Sequence, residues 1–226
     1  MAPDPSPYHG MREAMFSVSF IELLEDLPDV LAESARSRER RNAQAHRLIA
    51  PPPAGTPLLV SLALAFEHTG IYLGGNRVAE LNGDGCVKDV SLTQFINGMS
   101  DGVWSVRNGT RIFAACDART RRPLAAARTL KTARKALAAA DAWNGYDFLK
   151  ANCHLFTAAC VCGILPGERG FRRLLGGGIA SIGRLEDLLA ESLNDRRGIA
   201  WCPVRRGKVD FRYRLTIEKK WSLSFL

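Results

Sequence analysis

The chain has 226 residues, of which 46% are hydrophobic, and this is enough for one large domain or for one domain with extensions. Lys and Arg number 31 against 23 for Asp and Glu, which favours acidic partners such as anionic lipid, nucleic acid or an acidic protein face without choosing among them. The start lacks the basic and apolar regions of a secretory signal, and no apolar run has the length of a membrane span. We therefore expect a soluble, cytoplasmic protein, although leaderless export would leave no mark on the sequence.

Residues 1–50 are predicted to form a helical extension with a basic segment. The stretch from Ser34 to Arg47 carries five arginines. Because Glu33 and Glu39 dilute this charge, a solvated helix face is favoured over a surface for anionic lipid or nucleic acid.

A proline-rich linker, residues 51–57, is the clearest boundary in the chain, and strand-like patterns follow it. We predict strands at 58–66, at 68–73 and 77–81 around a Gly74-Gly75-Asn76 turn, and at 110–115. A helix is predicted over 125–142, with its buried face formed by Leu130, Ala133, Leu137 and Ala140.

Three further elements are predicted toward the C-terminus. A short helix runs from Cys153 to a terminating Gly163, and an amphipathic helix covers 183–194. The segments 198–204 and 209–217 resemble the two strands of a hairpin.

Six cysteines are present, and they show neither CxxC pairing nor the Cys/His spacing of a zinc site, so we predict no metal and no cofactor. Five of them are expected to be free or buried thiols in a reducing compartment. Cys153 differs, because Asn152 is a favoured N-cap residue and places the thiol at the first helical position. Unsatisfied N–H groups and the helix dipole stabilise a thiolate there, and the thiolate is the form that attacks a carbonyl.

A thiolate of this kind needs a base, and the chain has four histidines. His9 lies in the proline-rich start, His46 lies in the charged helix, and His154 is expected to point about a quarter-turn away from its neighbour Cys153. His68 lies in a predicted strand, and Gly70 on the same face leaves space beside its ring. We therefore predict that His68 is the base.

Glu80 is the predicted group that orients the imidazole. If the turn is a three-residue loop, Gly70 faces Glu80, and the carboxylate lies diagonal to His68 on the same face. A two-residue loop would shift the parity and turn Glu80 to the other face, where it would be an exposed edge carboxylate.

Two stretches together, His-Thr-Gly-Ile-Tyr-Leu-Gly at 68–74 and Asn-Cys-His-Leu-Phe at 152–156, resemble the lecithin:retinol acyltransferase family. That family belongs to the permuted branch of the papain-like NlpC superfamily, in which the histidine strand precedes the cysteine helix. The resemblance covers about residues 51–165. It implies an α+β fold with a small antiparallel sheet packed against the helix that bears the nucleophile.

The resemblance also implies site residues, with the family's base at His68 and its nucleophile at Cys153. The third polar residue, often a second histidine in the family, is Glu80 here. Tyr146, seven residues before the nucleophile, is implied as a support of the oxyanion hole. Members commonly read Asn-Cys-Glu-His-Phe where this chain reads Asn-Cys-His-Leu-Phe, and this departure bears on the substrate.

The activity implied is cysteine-dependent acyl transfer of the phospholipase or acyltransferase type, with a thioester at Cys153 and a lipid acyl donor. One alternative is an amidase or peptidase of the same superfamily that acts on peptidoglycan or protein amides. A second alternative is an inactive module that binds lipid or nucleic acid, although nucleic acid is not the expected partner. In the corresponding domain organisation, residues 51–165 form the catalytic domain, and a C-terminal helix and hairpin at 166–226 pack on it.

A lipid donor requires docking at an interface, and two surfaces are candidates for contact with an anionic membrane. One is the arginine-rich helix at 36–47. The other is the segment 171–182, whose proposed membrane-facing residues are Arg172, Arg173, Leu174 and Leu175. An ordinary loop that covers the core is an equally good interpretation of the second segment.

Overall fold

The computed structural model describes residues 50–61, 67–97, 99–100, 103–104, 111–139, 152–171, 182–194 and 197–204, with single residues at 32, 35, 36, 39, 143 and 174. Within these residues the protein is α+β, as the sequence predicts. The strands are β1 (Pro57–Ser61), β2 (Glu67–Gly74), β3 (Arg77–Leu81), β4 (Val87–Ser91), β5 (Met99–Ser100), β6 (Val103–Trp104), β7 (Ile112–Asp117) and β8 (Ile199–Pro203). The helices are α1 (Leu92–Asn97), α2 (Ala127–Ala138), α3 (Cys153–Cys162) and α4 (Ile182–Leu193).

Six strands form one antiparallel sheet in the order β4-β3-β2-β1-β7-β8, and β5 pairs with β6 separately. The sheet has a hydrophobic cluster on each face. On one face, α2, α3 and α4 pack over residues such as Leu59, Ile71 and Phe113. On the other face, α1 contributes Phe95 to a cluster that includes Val60. Because side chains alternate along a strand, neighbouring residues of β2 reach different clusters.

Helix α3 is the central element of the helical layer. Nearly all of its residues are buried, because it packs against β2, α2 and α4. The Asn152 side chain accepts a hydrogen bond from Leu155 N–H at 2.9 Å, and Gly163 ends the helix with φ +78°. Both predicted ends of this helix are therefore confirmed, for the capping reasons expected.

The β2–β3 hairpin differs from the prediction in its turn but not in its register. Gly74 pairs with Arg77 across a two-residue turn, and a bulge between Tyr72 and Gly74 adds one residue to β2. Ile71 pairs with Ala79, which brings Gly70 opposite Glu80. The bulge thus restores the parity that a two-residue turn alone would have reversed.

Helix α2 buries a face that shares Ala133 with the predicted apolar face. Its buried residues are Thr129, Thr132, Ala133 and Ala136, whereas Leu130 and Leu137 are half-buried and residue 140 is outside the described residues. Small side chains let α2 approach the sheet and α3 closely, so the largest apolar side chains lie at the edge of the contact. Size, rather than hydrophobicity, decided which face is buried.

Other boundaries moved by a few residues. The first strand ends at Ser61, with 62–66 outside the described residues, and the strand predicted at 110–115 runs over 112–117. Strand β4 and helix α1 were not predicted. The tail's first strand is β8, which pairs with β7, and 205–226 lie outside the described residues, so the hairpin is untested. Of residues 1–50, the helical positions 32, 35, 36 and 39 and residue 50 are described.

Candidate active site

The imidazole of His68 and the carboxylate of Glu80 are in direct contact on one face of the sheet. His68 Nε2 lies 2.8 Å from Glu80 Oε2, and the two residues are only 4% and 2% exposed. An ionised carboxylate only accepts hydrogen bonds, so Glu80 accepts from Nε2–H, and Nδ1 is the nitrogen that can take up the thiol proton. This is the orienting contact that the strand register predicted.

Cys153 lies at the first turn of α3, against the start of β2. Its Sγ is 3.9 Å from the carbonyl oxygen of Glu67. The side chain of His68 and the backbone of Thr69 are near enough to lower the pKa of the thiol. In a strand, the backbone polar groups of residues two apart point to the same side. The carbonyl of Glu67 and the N–H of Thr69 therefore point to the same side, and one sulfur can lie near both. The structure thus brings Cys153, His68 and Glu80 together from α3, β2 and β3.

The environment of the Cys153 sulfur favours its ionised form. Burial raises the pKa of this thiol, but the charges of His68 and His154 and the hydrogen bonds from His68 and Thr69 N–H lower it more, to about 6. Its ordinary value is 9.0. The thiol is therefore largely ionised at neutral pH, as a nucleophilic cysteine must be.

Two buried threonines link α3 to β2 at this point. The Thr157 hydroxyl donates to Thr69 Oγ1 at 3.0 Å, and the Thr69 hydroxyl donates to the carbonyl oxygen of Cys153, also at 3.0 Å. Both threonines are fully buried. The chain of hydrogen bonds ties the residue that carries the thiol to the strand that carries His68.

Two further residues near the site were missed by the sequence analysis. His154 was set aside because its side chain was expected to point about a quarter-turn away from the thiol; it is buried, and its charge contributes to the lowered pKa of Cys153. Gly70 was expected to leave space beside the His68 ring, and Phe95 of α1 occupies that space, with its ring centroid 5.3 Å from that of His68. A Cβ at Gly70 would lie 3.1 Å from Phe95 Cε2 and 2.7 Å from the Ala79 carbonyl oxygen, so the close packing requires glycine.

The signals for the missed residues were present but ambiguous. Thr69 and Thr157 are ordinary strand and helix residues until the register between β2 and α3 is known. His154 was discounted from helical geometry alone. Phe95 belongs to a short helix with no pattern long enough to recognise.

The remaining predicted residues are placed only in part. Asn152 is the N-cap of α3, whereas Tyr146, Arg172, Arg173 and Leu175 lie outside the described residues. Leu174 packs against the main core, and the Phe171 ring meets that of Trp143 edge-on at a centroid distance of 5.6 Å. The described part of the segment 171–182 therefore faces the core, which fits a loop that covers it. Of the arginine-rich helix, only Arg36 and Glu39 are described, and both are exposed.

The other cysteines differ from Cys153 in environment. Burial raises the pKa of Cys160, and also of the half-buried Cys162. Cys116 and Cys202 are hydrogen-bonded to each other on neighbouring strands, which raises the pKa of Cys116 and lowers that of Cys202 to about 7. Among the described residues, no imidazole affects the pKa of either thiol, so neither has a base there.

Within the described part of the chain, no helix is long and apolar enough to cross a membrane. No three His, Cys, Asp or Glu side chains of these residues come together as metal ligands. Comparison with known proteins assigns no family, since no family model matches this sequence and no curated protein matches it.

The arrangement is chemically suited to nucleophilic attack. A helix-start thiolate lies beside an imidazole that can hold and return a proton, and a buried carboxylate fixes the imidazole's tautomer. All three side chains are buried, so the charges act in a medium of low dielectric, where their mutual effect is larger than in water.

Proposed function

We propose that this protein is a cysteine-dependent acyl-transfer enzyme in which Cys153 forms a thioester with its substrate. The observation that carries the proposal is the buried His68–Glu80 contact at 2.8 Å, together with the pKa of the Cys153 thiol, which the charge of His68 lowers. A structural thiol has no need of a base, and a structural histidine has no need of a thiolate beside it.

The reaction proceeds in two stages. The Cys153 thiolate attacks an acyl carbonyl carbon, and His68, which holds the thiol proton, gives it to the departing alkoxide or amine. A second nucleophile is then deprotonated by His68 and attacks the thioester, which releases the acyl group and regenerates the thiol. With water the net reaction is hydrolysis, and with an alcohol or amine it is acyl transfer. The N–H of Cys153, at the start of α3, is positioned to stabilise the oxyanion.

The fold we propose is the permuted papain-like type of the lecithin:retinol acyltransferase family. The order of elements supports it, because the strand with His68 precedes the helix with Cys153 in the sequence. That strand belongs to an antiparallel sheet, and the helix packs against it. By that resemblance the acyl donor is a lipid ester, and the protein acts as a phospholipase or acyltransferase in the cytoplasm, at an anionic membrane surface. Fold similarity is a weak guide to substrate, so the donor needs its own test.

The test is intact-mass spectrometry of the protein after incubation with a mixed lipid extract. We expect a mass increase equal to a fatty acyl group on the native chain, removed by neutral hydroxylamine, and no increase for Cys153→Ala. Incubation with peptidoglycan fragments or peptides is the parallel experiment. An adduct from these alone would replace the lipid substrate by an amide, and no adduct from any acyl donor would leave the inactive binding module as the better interpretation.

A further inference from the structure

The positive charge of this protein is concentrated in one segment. The formal net charge of the whole chain is +8. Residues 111–139 contain eight basic residues and a single acidic residue, Asp117, and so account for nearly all of this charge. The rest of the chain is close to neutral. The basic residues of the segment are Arg111, Arg119, Arg121, Arg122, Arg128, Lys131, Arg134 and Lys135.

Asp117 keeps its negative charge, but that charge lies at the end of β7, before α2, and not on the helix. Its Oδ1 accepts hydrogen bonds from Thr120 N–H at 2.6 Å and Arg119 N–H at 2.9 Å, and from the Thr120 hydroxyl at 3.0 Å. Hydrogen bonding, first from Thr120 N–H, lowers the pKa of Asp117 to about 2. The carboxylate serves to fix the turn between β7 and α2.

Helix α2 presents part of this charge on one exposed face. Lys131, Arg134 and Lys135 are exposed, and with Ala127, Leu130 and Ala138 they line a shallow groove of about 430 Å³. No acidic residue occurs in α2. We call these six residues the α2 cationic face. Arg128 is not part of it, since its Nε donates to the carbonyl oxygen of Val161 and holds α2 against the end of α3.

We propose that the α2 cationic face is the surface by which this protein docks on an anionic membrane. Each Lys or Arg held near such a surface raises partitioning by about fivefold, so three act together as a substantial anchor. The short side chains of Ala127 and Ala138 beside them let the helix backbone approach the headgroups closely. Nucleic acid is the less suitable occupant, because α2 has no aromatic side chain on which a base could stack.

This surface differs from both segments that the sequence suggested for membrane contact. It belongs to a helix whose opposite face packs on the sheet and on α3, so it is held rigidly in relation to Cys153. This inference rests on the proposed function in one respect, since the purpose of docking is access to a lipid acyl donor. Binding itself can be measured without any turnover.

The test compares two double variants of the full chain, each of which removes two positive charges. Lys131→Gln with Lys135→Gln changes the α2 cationic face, and glutamine preserves the helix. Arg169→Gln with Arg184→Gln changes exposed arginines elsewhere. Sedimentation is measured with vesicles of phosphatidylcholine alone and with about 30% phosphatidylserine, over a salt series.

We expect the native protein to bind the anionic vesicles with an affinity that falls as salt rises. The Lys131/Lys135 variant should bind roughly 25-fold more weakly, and the Arg169/Arg184 variant should change little. An equal loss in both variants, no preference for anionic vesicles, or binding to duplex or single-stranded nucleic acid in place of vesicles would overturn the proposal. Because Cys153→Ala should bind vesicles normally, a failure of docking is distinguishable from a failure of the acyl-transfer function.

Discussion

At the scale of single residues, the properties of Cys153 come from the groups around it rather than from cysteine itself. Cys160 is in the same helix and equally buried, yet burial raises its pKa because no charge opposes the desolvation. At Cys153, His68 and His154 more than offset the same desolvation. The difference between the pKa values of these two thiols is therefore electrostatic.

Substitution of the three site residues should reduce turnover unequally. Cys153→Ala is expected to lower the rate by roughly 10⁴-fold or more, and His68→Ala by nearly as much, because the nucleophile and its base act as a unit. Glu80→Gln should cost less, on the order of 10²-fold, since the side chain can still orient the ring. The turnover of all three variants is measured by steady-state hydrolysis of an ester that reacts with thiols.

Cys160→Ala is the control for this series, because it removes a buried thiol from the same helix without touching His68. Its turnover should stay near that of the native protein. Full activity of Cys153→Ala, or loss of activity in Cys160→Ala with an intact fold, would show that the wrong thiol was chosen.

The pH dependence of alkylation should report the lowered pKa directly. Only the thiolate reacts with iodoacetamide, so a thiol with a pKa of about 6 stays reactive down to pH 6 and loses reactivity below it, whereas an ordinary thiol already loses reactivity below 9.0. We expect the rate at Cys153, followed by peptide mass spectrometry, to be half-maximal near pH 6. In His68→Ala the midpoint should move up. A native midpoint near 9 would contradict the proposed electrostatics.

At the scale of elements, the site depends on how α3 is held against β2. The N-cap Asn152 fixes the residue at which α3 begins. The hydroxyls of Thr157 and Thr69 fix the position of that first turn along β2. On the other face of β2, the bulge before Gly74 brings Glu80 to the same side as His68. Each contact is local, and together they set the geometry of three side chains from three elements.

Thr69→Val should reduce the reactivity of Cys153 without a large loss of stability. Valine has the same shape but no hydroxyl, so the carbonyl oxygen of Cys153 loses one donor and the buried Thr157 hydroxyl loses its acceptor. The cost is about 1–3 kcal/mol in the free energy of unfolding. The start of α3 is then less firmly held. We expect alkylation at pH 7 to slow several-fold, with an upward shift of its pH midpoint.

Thr132→Val is the matched control for that change. Thr132 is also buried, and its hydroxyl also donates to a backbone oxygen, that of Arg128, but it lies in α2 away from the thiol. It should cost about 1 kcal/mol in the free energy of unfolding and leave the pH profile unchanged. If Thr69→Val and the native protein have the same pH profile of alkylation, the threonine contact contributes to stability only.

At the scale of the whole molecule, parts distant in sequence share one core. Strand β8 completes the sheet beside β7, and α4 packs on α3 and β8. Trp201 of β8 is 3% exposed and its Nε1–H donates to Glu186 Oε1 of α4 at 2.9 Å. The C-terminal part thus supports the helix that carries Cys153.

Trp201→Ala should destabilise the entire domain by about 3–5 kcal/mol, because it removes a large buried ring. We expect urea unfolding followed by circular dichroism and by loss of the pH 6 reactivity of Cys153 to give coincident transitions, both moved to lower urea. Glu186→Gln retains an oxygen acceptor and should cost less than 1 kcal/mol. Separate transitions for the two probes would show that the C-terminal part folds independently of the site.

The sequence alone determined the α+β class, most strands, both ends of α3 and the candidate set Cys153, His68 and Glu80. These depend on local patterns: alternation in strands, a capping residue, a glycine at a helix end, and a histidine and a carboxylate at a fixed spacing around a turn. Only the tertiary structure decided which face of α2 is buried, that His154 acts on the thiol, and that Thr69 and Thr157 join α3 to β2. The reason is physical, because the sequence states the neighbours of a residue along the chain, whereas packing density and electrostatics depend on neighbours in space.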